Sequence, residues 1–366
     1  MPCGNKNMQK RKLKIAIIAP PFTTVPPKGH GGTERIAYEM VEGFKGRGHQ
    51  VTLFGAGKCK TSAKFVQILK QTIEERKKDT TLTESFRPLR IETTYLAKVM
   101  EKIIKKEKSF DIIFNHSKNN YLFLPLTRFI NTPIINILHL PLFKEVEDFY
   151  SKFKNANIVT VSNNQRKGFS KINYLATVYN GISTEKFKLS EKPKDYFLFL
   201  GAMGAHKNPK DAIMAAKRAN VKLILAGGKI REPYFSKEIK PLIDGDKIKY
   251  LGEVYGETKI NLLKNARALL FPIKWPEPFG LVTIEAMACG TPVIAYPNGA
   301  VPEIVEDKKT GFIIKNVLEM AKAIEKIDEI DRKKCRERVE KKFSVEKMID
   351  EYEKIAFKIV EKCLKI

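Results

Sequence analysis

Short apolar runs alternate with longer segments of helical spacing along the first half of the chain. In the segment TERIAYEMVEGFKGRG the apolar residues recur every three or four positions, which is typical of a helix packed on a core. The runs themselves are rich in Val, Ile and Leu, as expected for strands buried on both faces of a parallel sheet. This alternation predicts βαβ units. The runs are KIAIIAP (14–20), QVTLFGA (50–56), DIIFNHS (111–117) and PIINILH (133–139).

A charged, turn-rich stretch at 183–195 interrupts the pattern, which then starts again. We therefore predict an α/β fold with two doubly wound Rossmann-like domains, residues 1–182 and 183–343. Residues 344–366 have helical spacing, and this helix either packs back on one of the domains, the N-terminal one included, or docks a partner. The second series comprises YFLFLGA, a helix at 209–218, VKLILAGG, KIKYLGE, a helix at 259–266, ALLFPI, a helix after Gly280 and TPVIAY.

Length and composition agree with two domains and restrict the chemistry. At 366 residues with 43% hydrophobic side chains, the chain is too long for one ordinary core. A formal charge of +26 favours anionic partners such as nucleic acid, phosphorylated metabolites or anionic lipid, although a Lys-rich solvated surface would give the same charge. The five cysteines form no CxxC pair, and no apolar run reaches the ~18 residues of a membrane span. These features indicate a cytoplasmic protein without a metal site.

Two adjacent glycines follow the first predicted strand. Gly31 and Gly32 precede Thr33 and a helical pattern, so free backbone amides and the positive end of a helix dipole can face an anion. The spacing matches neither the GxGxxG dinucleotide fingerprint nor a P-loop. We predict that Gly31 and Gly32 help to bind a phosphorylated donor. The alternative is a flexible loop in which Thr33 caps the helix.

The densest set of chemically informative residues lies between positions 275 and 312. Glu277 is in a loop bracketed by prolines, and Glu285 falls within the helix LVTIEAMA that follows Gly280. One carboxylate therefore projects from a loop and the other from a helix, with the amides of Gly280 and Leu281 between them. This arrangement suits a sugar nucleotide, because amides bind phosphates and carboxylates accept hydrogen bonds from hydroxyl groups. The alternative for Glu285 is a buried salt bridge.

The motifs of the chain occur in a specific order. Within EPFGLVTIEAMACGTPVIA the two glutamates are separated by seven residues, and GAVPEIV and TGF follow. Earlier come KIAIIAP, DIIFNHS, IVTVSNNQR, VYNGI, FLGAMGAHKNP, LAGG and YLGEV. This ordered set resembles the retaining GT-B glycosyltransferases of family 4, the glycosyl transferases group 1, over nearly the whole chain. The resemblance implies two Rossmann-like domains that face a central cleft.

The resemblance also implies an activity and residues that carry it. The expected reaction moves a sugar of hexosyl type from a nucleotide diphosphate sugar to an acceptor hydroxyl, with retention of configuration and without a metal ion or cofactor. Glu277 would contact the transferred sugar and Glu285 the ribose. The amides of Phe279, Gly280 and Leu281 would bind the phosphates. The base, the sugar and the acceptor, whether saccharide, lipid-linked or small molecule, are left open.

The chain departs from the family pattern at two positions near Lys207. Ala202 stands where the family usually has arginine, and Asn208 stands where it has glycine. Lys207 is retained and would neutralise the diphosphate. A second cation is therefore expected, with His206 in its charged form or Arg166 as candidates.

His116 is the predicted catalytic partner of Glu277. It ends DIIFNHS, where the resemblance places a histidine near the transferred sugar; the alternative is a histidine bonded within the core between the domains. His139 ends PIINILH in the same way and is the weaker candidate, because its leucine neighbours suggest packing.

Two other classes of protein remain as alternatives. A sugar-nucleotide epimerase of GT-B fold would need no acceptor. A basic nucleic-acid-binding protein would explain the charge, but no recognisable module with aromatic platforms occurs, and we expect no nucleic-acid partner. The segment YLAKVMEKIIKKEKS (95–109) is either a solvated helix face or a peripheral contact with an anionic membrane, which would place the protein at the inner membrane face.

Overall fold

The computed structural model describes residues 11–76, 86–228 and 230–364. Within these residues the first domain is built on a seven-stranded parallel sheet. Its strands are β1 (Lys14–Ile18), β2 (Gln50–Ala56), β3 (Lys64–Leu69), β4 (Ile112–Asn115), β5 (Ile134–Leu138), β6 (Asn157–Thr160) and β7 (Tyr174–Thr177). Its α-helices are α1 (Gly32–Gly46), α2 (Ile73–Arg76), α3 (Arg87–Lys105) and α4 (Lys144–Tyr150).

The second domain has a six-stranded parallel sheet over the described residues. Its strands are β8 (Phe197–Leu200), β9 (Leu223–Ala226), β10 (Ile248–Tyr250), β11 (Leu269–Phe271), β12 (Val293–Ala295) and β13 (Gly311–Ile313). The helices are α5 (Pro209–Arg218), α6 (Gly256–Asn265), α7 (Leu281–Ala288), α8 (Val301–Ile304), α9 (Val317–Glu325), α10 (Arg332–Lys342) and α11 (Val345–Leu364).

The strand order shows where ligands can bind. It is β3-β2-β1-β4-β5-β6-β7 in the first sheet and β10-β9-β8-β11-β12-β13 in the second. The direction of winding therefore reverses between β1 and β4 and between β8 and β11. Doubly wound sheets bind ligands beyond the carboxyl ends of the strands at such a reversal. The loops after β1, β8 and β11, which carry Gly31, Lys207 and Glu277, lie at these points.

The central strands are the apolar runs of the sequence. In β1, Ile17 pairs with Leu53 of β2 and with Phe114 of β4, and all three side chains are fully buried. Helices cover both faces of the sheet, so every residue of such a strand loses water, which stabilises the fold by about 1.5–3 kcal/mol for each fully buried Leu, Ile or Phe. The apolar runs do not include β3, β6, β7 and β13. Of these, β3, β7 and β13 lie at an edge of their sheet and are only partly buried, whereas β6 is an inner strand of four residues.

The last helix returns to the first domain. Helix α11 packs along α1, where a Cβ at Gly43 would approach Ile349 Cγ1 to 2.5 Å. His49 Nε2 lies 2.9 Å from Glu353 Oε1, so the helix is held by polar as well as apolar contacts. Within the described residues, none of the helices is both long and apolar enough to cross a membrane.

Candidate active site

Two adjoining pockets lie in the cleft between the domains. The smaller has a volume of about 300 Å³ and the larger about 730 Å³. Both are lined by Gly31 and Gly32 of the first domain and by Glu277, Gly280 and Leu281 of the second. These segments follow strands at the reversal point of each sheet, where doubly wound domains bind ligands. The pockets therefore bring together residues that are distant in sequence.

The loop before α7 fixes the carboxylate of Glu277. Trp275 Nε1 donates a hydrogen bond to Glu277 Oε2 (2.6 Å), and Lys207 Nζ forms an ion pair with the same oxygen. The Glu277 carbonyl accepts a hydrogen bond from Ala300 N (2.9 Å), and a Cβ at Gly299 would overlap the Glu277 backbone. The second carboxylate oxygen, Oε1, has no hydrogen-bond partner among the described residues and is available to a ligand.

Helix α7 places Glu285 beside the smaller pocket. The helix begins at Leu281 because Gly280 adopts a left-handed conformation (φ 88°, ψ 62°), which residues with a Cβ tolerate poorly. Glu285 lies one turn further along, with its side chain 3% exposed, and its Oε2 is 2.5 Å from Lys259 Nζ of α6. The buried salt bridge that was the alternative for Glu285 is thus present, and the same residue lines the pocket.

The starts of α1 and α7 approach each other across the cleft. A Cβ at Gly32 would lie 3.2 Å from Leu281 Cδ1. Gly31 is the N-cap of α1 with φ 131°, and no side chain caps this helix, so the alternative in which Thr33 is the cap is wrong. Both helices therefore direct unsatisfied amides and the positive ends of their dipoles to one space, which favours an anion there.

The loop after β8 carries Lys207 into the smaller pocket. Asn208, which replaces the glycine of the family pattern, has a left-handed conformation (φ 58°, ψ 53°) and donates a hydrogen bond from Nδ2 to Pro272 O (3.0 Å). Asparagine adopts this conformation more readily than other residues with a Cβ. The departure from glycine therefore preserves the turn that presents Lys207.

Comparison with known proteins assigns both halves of the chain to glycosyltransferases. The family model described as glycosyl transferases group 1 matches residues 182–342, and that described as glycosyltransferase family 4 matches residues 30–186. Together the two models span residues 30–342, so the chain is similar to glycosyltransferases over most of its length.

Solved structures of glycosyltransferases have the same fold as this chain. AviGT4, a glycosyltransferase involved in avilamycin A biosynthesis, has a TM-score of 0.72 at 19% identity, covering 95% of this chain and 98% of AviGT4. HepE of Anabaena, in complex with UDP and glucose, has a TM-score of 0.70 at 16% identity, covering 93% and 98%. These likenesses confirm the predicted GT-B fold.

Sequence relatives match a shorter part of the chain. An uncharacterized glycosyltransferase of Methanocaldococcus jannaschii is 27% identical over 189 residues, which are 45% of this chain and 48% of that protein. The N-acetyl-alpha-D-glucosaminyl L-malate synthase of Bacillus anthracis is 26% identical over 209 residues, which are 51% and 54%. The chain thus spans about half the length of the curated relatives it matches.

The positions of the two histidines differ from the prediction. His116 is fully buried and lines neither pocket, whereas His139, the weaker candidate, lines the larger one. His116 Nδ1 lies 2.9 Å from His139 Nε2, and the rings stack with centroids 5.1 Å apart. The prediction that His116 faces the ligand is therefore corrected. The physical reason is that His116 N donates a hydrogen bond to Ile18 O of β1 (2.9 Å), which continues the pairing of β4 with β1. His116 therefore lies within the sheet and not in the loop beyond it.

The expected second cation is also not where it was predicted. Burial lowers the pKa of His206, and the neighbouring Lys207 lowers it further, so the imidazole is neutral near pH 7. The guanidinium of Arg166 lies over the Tyr174 ring (4.9 Å) and lines neither pocket. Neither His206 nor Arg166 therefore supplies the positive charge that the family pattern has at position 202.

Other cations, absent from the prediction, do line the pockets. Lys259 and Arg35 line the smaller pocket, and Lys118 and Arg231 line the larger. The sequence contains one indication of Lys259. A glutamate within the apolar helix α7 needs a partner of opposite charge, which a lysine on a neighbouring element can supply. Phe279 lines the larger pocket, although the residue is only 3% exposed and its ring packs near Tyr179.

Proposed function

We propose that this protein transfers a sugar from a nucleoside diphosphate sugar to an acceptor hydroxyl with retention of configuration. The observation that carries the proposal is the convergence of Glu277, Glu285 and Lys207 with two helix N-termini in one cleft. Glu285 accepts hydrogen bonds from the ribose, Glu277 Oε1 accepts from the sugar, and the amides of Gly280 and Leu281 bind the diphosphate. The UDP and glucose bound by the similar HepE support a donor of this class.

Each step then uses groups of the cleft. The bond between the anomeric carbon and the diphosphate oxygen breaks, and the helix dipoles and Lys207 stabilise the negative charge that develops on the leaving group. The acceptor oxygen bonds to the same face of the anomeric carbon. Its proton passes to the departing diphosphate, so the products are the glycoside and the protonated nucleoside diphosphate. Closure of the two domains over the donor would keep water from competing as the acceptor.

His139 provides a neutral donor or acceptor to the sugar. Burial lowers the pKa of His139 to about 3, and burial together with His139 lowers the pKa of His116 well below its ordinary range. Both imidazoles are therefore neutral near pH 7. A neutral His139, oriented by His116, can hydrogen-bond a sugar hydroxyl without repelling Lys207.

Thermal shift and nucleotide release with UDP-, GDP- and ADP-sugars test this proposal. We expect one nucleotide class to stabilise the protein, and Glu285→Ala to abolish that stabilisation. Glu257→Ala is the matched control, because Glu257 is exposed on α6 and lines neither pocket. An increase in product only when an acceptor is added excludes an epimerase. No response to any donor, with tight salt-sensitive binding of nucleic acid instead, would overturn the proposal.

We also infer that the diphosphate is balanced by protein cations and helix dipoles and that no metal ion or cofactor is required. The support is the group of lysine and arginine side chains in the pockets. Transfer rates measured in EDTA and in added Mg²⁺ or Mn²⁺ test this inference. We expect equal rates, and a rate that depends on the metal would contradict it.

We propose further that the surface around α3 contacts an anionic membrane. Phe86 and Ile104 of this surface are 68% and 55% exposed, and Lys98, Lys102 and Lys105 are exposed along the same helix. Phe129, 82% exposed, is three residues before Thr132, whose N donates a hydrogen bond to Glu107 Oε1 (3.2 Å) just after the end of α3. Exposed aromatic and aliphatic groups among lysines suit the headgroup region of an anionic bilayer.

Co-sedimentation with vesicles tests the membrane contact. We expect binding to phosphatidylglycerol vesicles that falls with salt, and weak binding to phosphatidylcholine vesicles. Phe129→Ser should reduce it, whereas Leu318→Ser, which removes a 51% exposed leucine from the second domain, should not. An equal reduction of vesicle binding by both variants would show that the contact is not confined to the surface around α3.

A further inference from the structure

Arg231 projects into the cleft from the loop after β9. It lines the larger pocket together with Glu277, Gly280 and Leu281. Strand β9 is the neighbour of β8 in the second sheet, so the loops that carry Arg231 and Lys207 leave the sheet side by side at its carboxyl edge. Arg231 therefore reaches the region of the predicted diphosphate site from a different strand than Lys207.

Two contacts hold Arg231 against the loop after β8. Arg231 N donates a hydrogen bond to Met203 O (3.1 Å). A Cβ at Gly204 would lie 3.1 Å from Arg231 Cγ, so the aliphatic part of the arginine crosses the loop where a residue has no side chain. Ala202, at the start of the same loop, is the position at which the family pattern has arginine. The backbone and the aliphatic part of Arg231 thus lie against the loop that begins at position 202, where the family pattern has its arginine.

The other lysine and arginine side chains of the pockets already have protein partners. Lys207 and Lys259 form ion pairs with the two glutamates of the site, Arg35 donates to a backbone carbonyl (3.3 Å), and Lys118 Nζ lies 3.3 Å from the centre of the Phe22 ring. Among the residues that the structure describes, Arg231 forms no ion pair, and its side chain is exposed to the cleft. An anion that enters the larger pocket consequently finds an uncommitted guanidinium at Arg231.

We propose that Arg231 binds the diphosphate of the donor and takes over the role of the arginine that is absent at position 202. The proposal rests on the proposed function, since the ligand is the nucleoside diphosphate part of the donor. A guanidinium presents two parallel N–H donors to one phosphate, a geometry that the single ammonium group of Lys207 cannot offer, and it stays charged at any physiological pH. Arg231 is thus a donor-binding residue that also balances the charge of the leaving group.

Isothermal titration of the wild type, Arg231→Ala and Arg218→Ala tests the proposal. The titrants are UDP, GDP and ADP and the matching nucleosides uridine, guanosine and adenosine. Arg218, exposed on α5, is the control for the loss of one positive charge. For the base that the wild type binds, we expect Arg231→Ala to weaken diphosphate binding by about tenfold or more and nucleoside binding by less than about twofold. Arg218→Ala should change neither.

The double variant Ala202→Arg, Arg231→Ala is expected to regain diphosphate affinity, because the cation returns to the position of the family pattern. Equal weakening of diphosphate and nucleoside by Arg231→Ala would indicate a structural role of the loop and would overturn the proposal. Unchanged diphosphate affinity would overturn it as well. Either result leaves the transferase proposal standing, provided that the wild type binds a diphosphate. A wild type that binds none of the three diphosphates would overturn both proposals.

Discussion

Lys259 Nζ lies 2.5 Å from Glu285 Oε2, and the pair links α6 to α7 at the wall of the smaller pocket. The glutamate side chain is 3% exposed and the lysine side chain 22%. A carboxylate so deeply buried requires a partner charge, and removing the partner leaves the charge without compensation. Lys259 therefore positions Glu285 for its proposed hydrogen bonds to the ribose.

Replacement of Lys259 by methionine is expected to lower both stability and nucleotide affinity. Methionine keeps the apolar part of the side chain, so the loss reports the ion pair. We expect the free energy of unfolding to fall by about 1–3 kcal/mol, as for a buried acceptor left unpaired. Urea denaturation and nucleotide titration measure the two effects. Lys264→Met on the same helix is the control, and equal destabilisation by both variants would contradict the positioning role.

Replacement of Gly299 by alanine is expected to displace the loop of Glu277. Gly299 has φ 60°, and a Cβ there would overlap the Glu277 backbone. Gly245→Ala is the control, because Gly245 also has a positive φ (77°) but open space within 4 Å of the point that a Cβ would occupy. The comparison separates the cost of backbone strain from the cost of steric overlap. Both alanine variants should lose about 1–2 kcal/mol of stability from the left-handed backbone. Only Gly299→Ala should weaken donor binding; unchanged affinity would show that the loop position is not critical.

The two domains are joined at the mouth of the cleft through His30. His30 Nδ1 lies 3.0 Å from Glu253 Oε1 of the second domain, while Nε2 contacts Glu74 of the first. We expect Glu253→Gln to favour a more open cleft and to raise the KM for the donor by up to about fivefold, since partly exposed pairs contribute under about 1 kcal/mol. Small-angle X-ray scattering detects the opening as a larger radius of gyration. A KM raised equally in Glu257→Gln would contradict this role.

Glu92 of α3 makes stability depend on pH. Burial raises the pKa of Glu92 from 4.5 to about 7, with the charge of Glu34 adding to the effect and Lys118 opposing it. Between these two pH values the folded protein holds a proton that the unfolded chain has released. The contribution of Glu92 to the free energy of unfolding is therefore greatest below about pH 4.5 and is lost as the pH rises through 7. Glu92→Gln, which is neutral at every pH, should remove this loss.

Thermal unfolding between pH 5 and 8 measures the effect. The melting temperature of Glu92→Gln relative to the wild type should rise with pH across this range, while that of Glu101→Gln, an exposed position of the same helix, should not. A constant difference between Glu92→Gln and the wild type would show that Glu92 is ionised in the folded protein.

The sequence alone determined the architecture of this protein. Central strands such as β1 and β2 are continuous apolar runs because parallel strands are buried on both faces, and this pattern is local. The start of α7 after Gly280 and the extent of α5 were likewise readable from turn residues and helical spacing. Edge strands such as β3 were not, because half-exposed segments lack a continuous apolar signal.

Tertiary structure decided which side chains face the cleft. His116 and His139 end adjacent strands with the same local pattern, yet only the second lines a pocket, since one lies within the sheet and the other at its rim. Lys259 and Arg231 are ordinary surface cations in sequence, and their place beside Glu285 and above Gly204 depends on how α6 and β9 pack. Local periodicity fixes elements, whereas distances between side chains from different elements arise only when the chain folds.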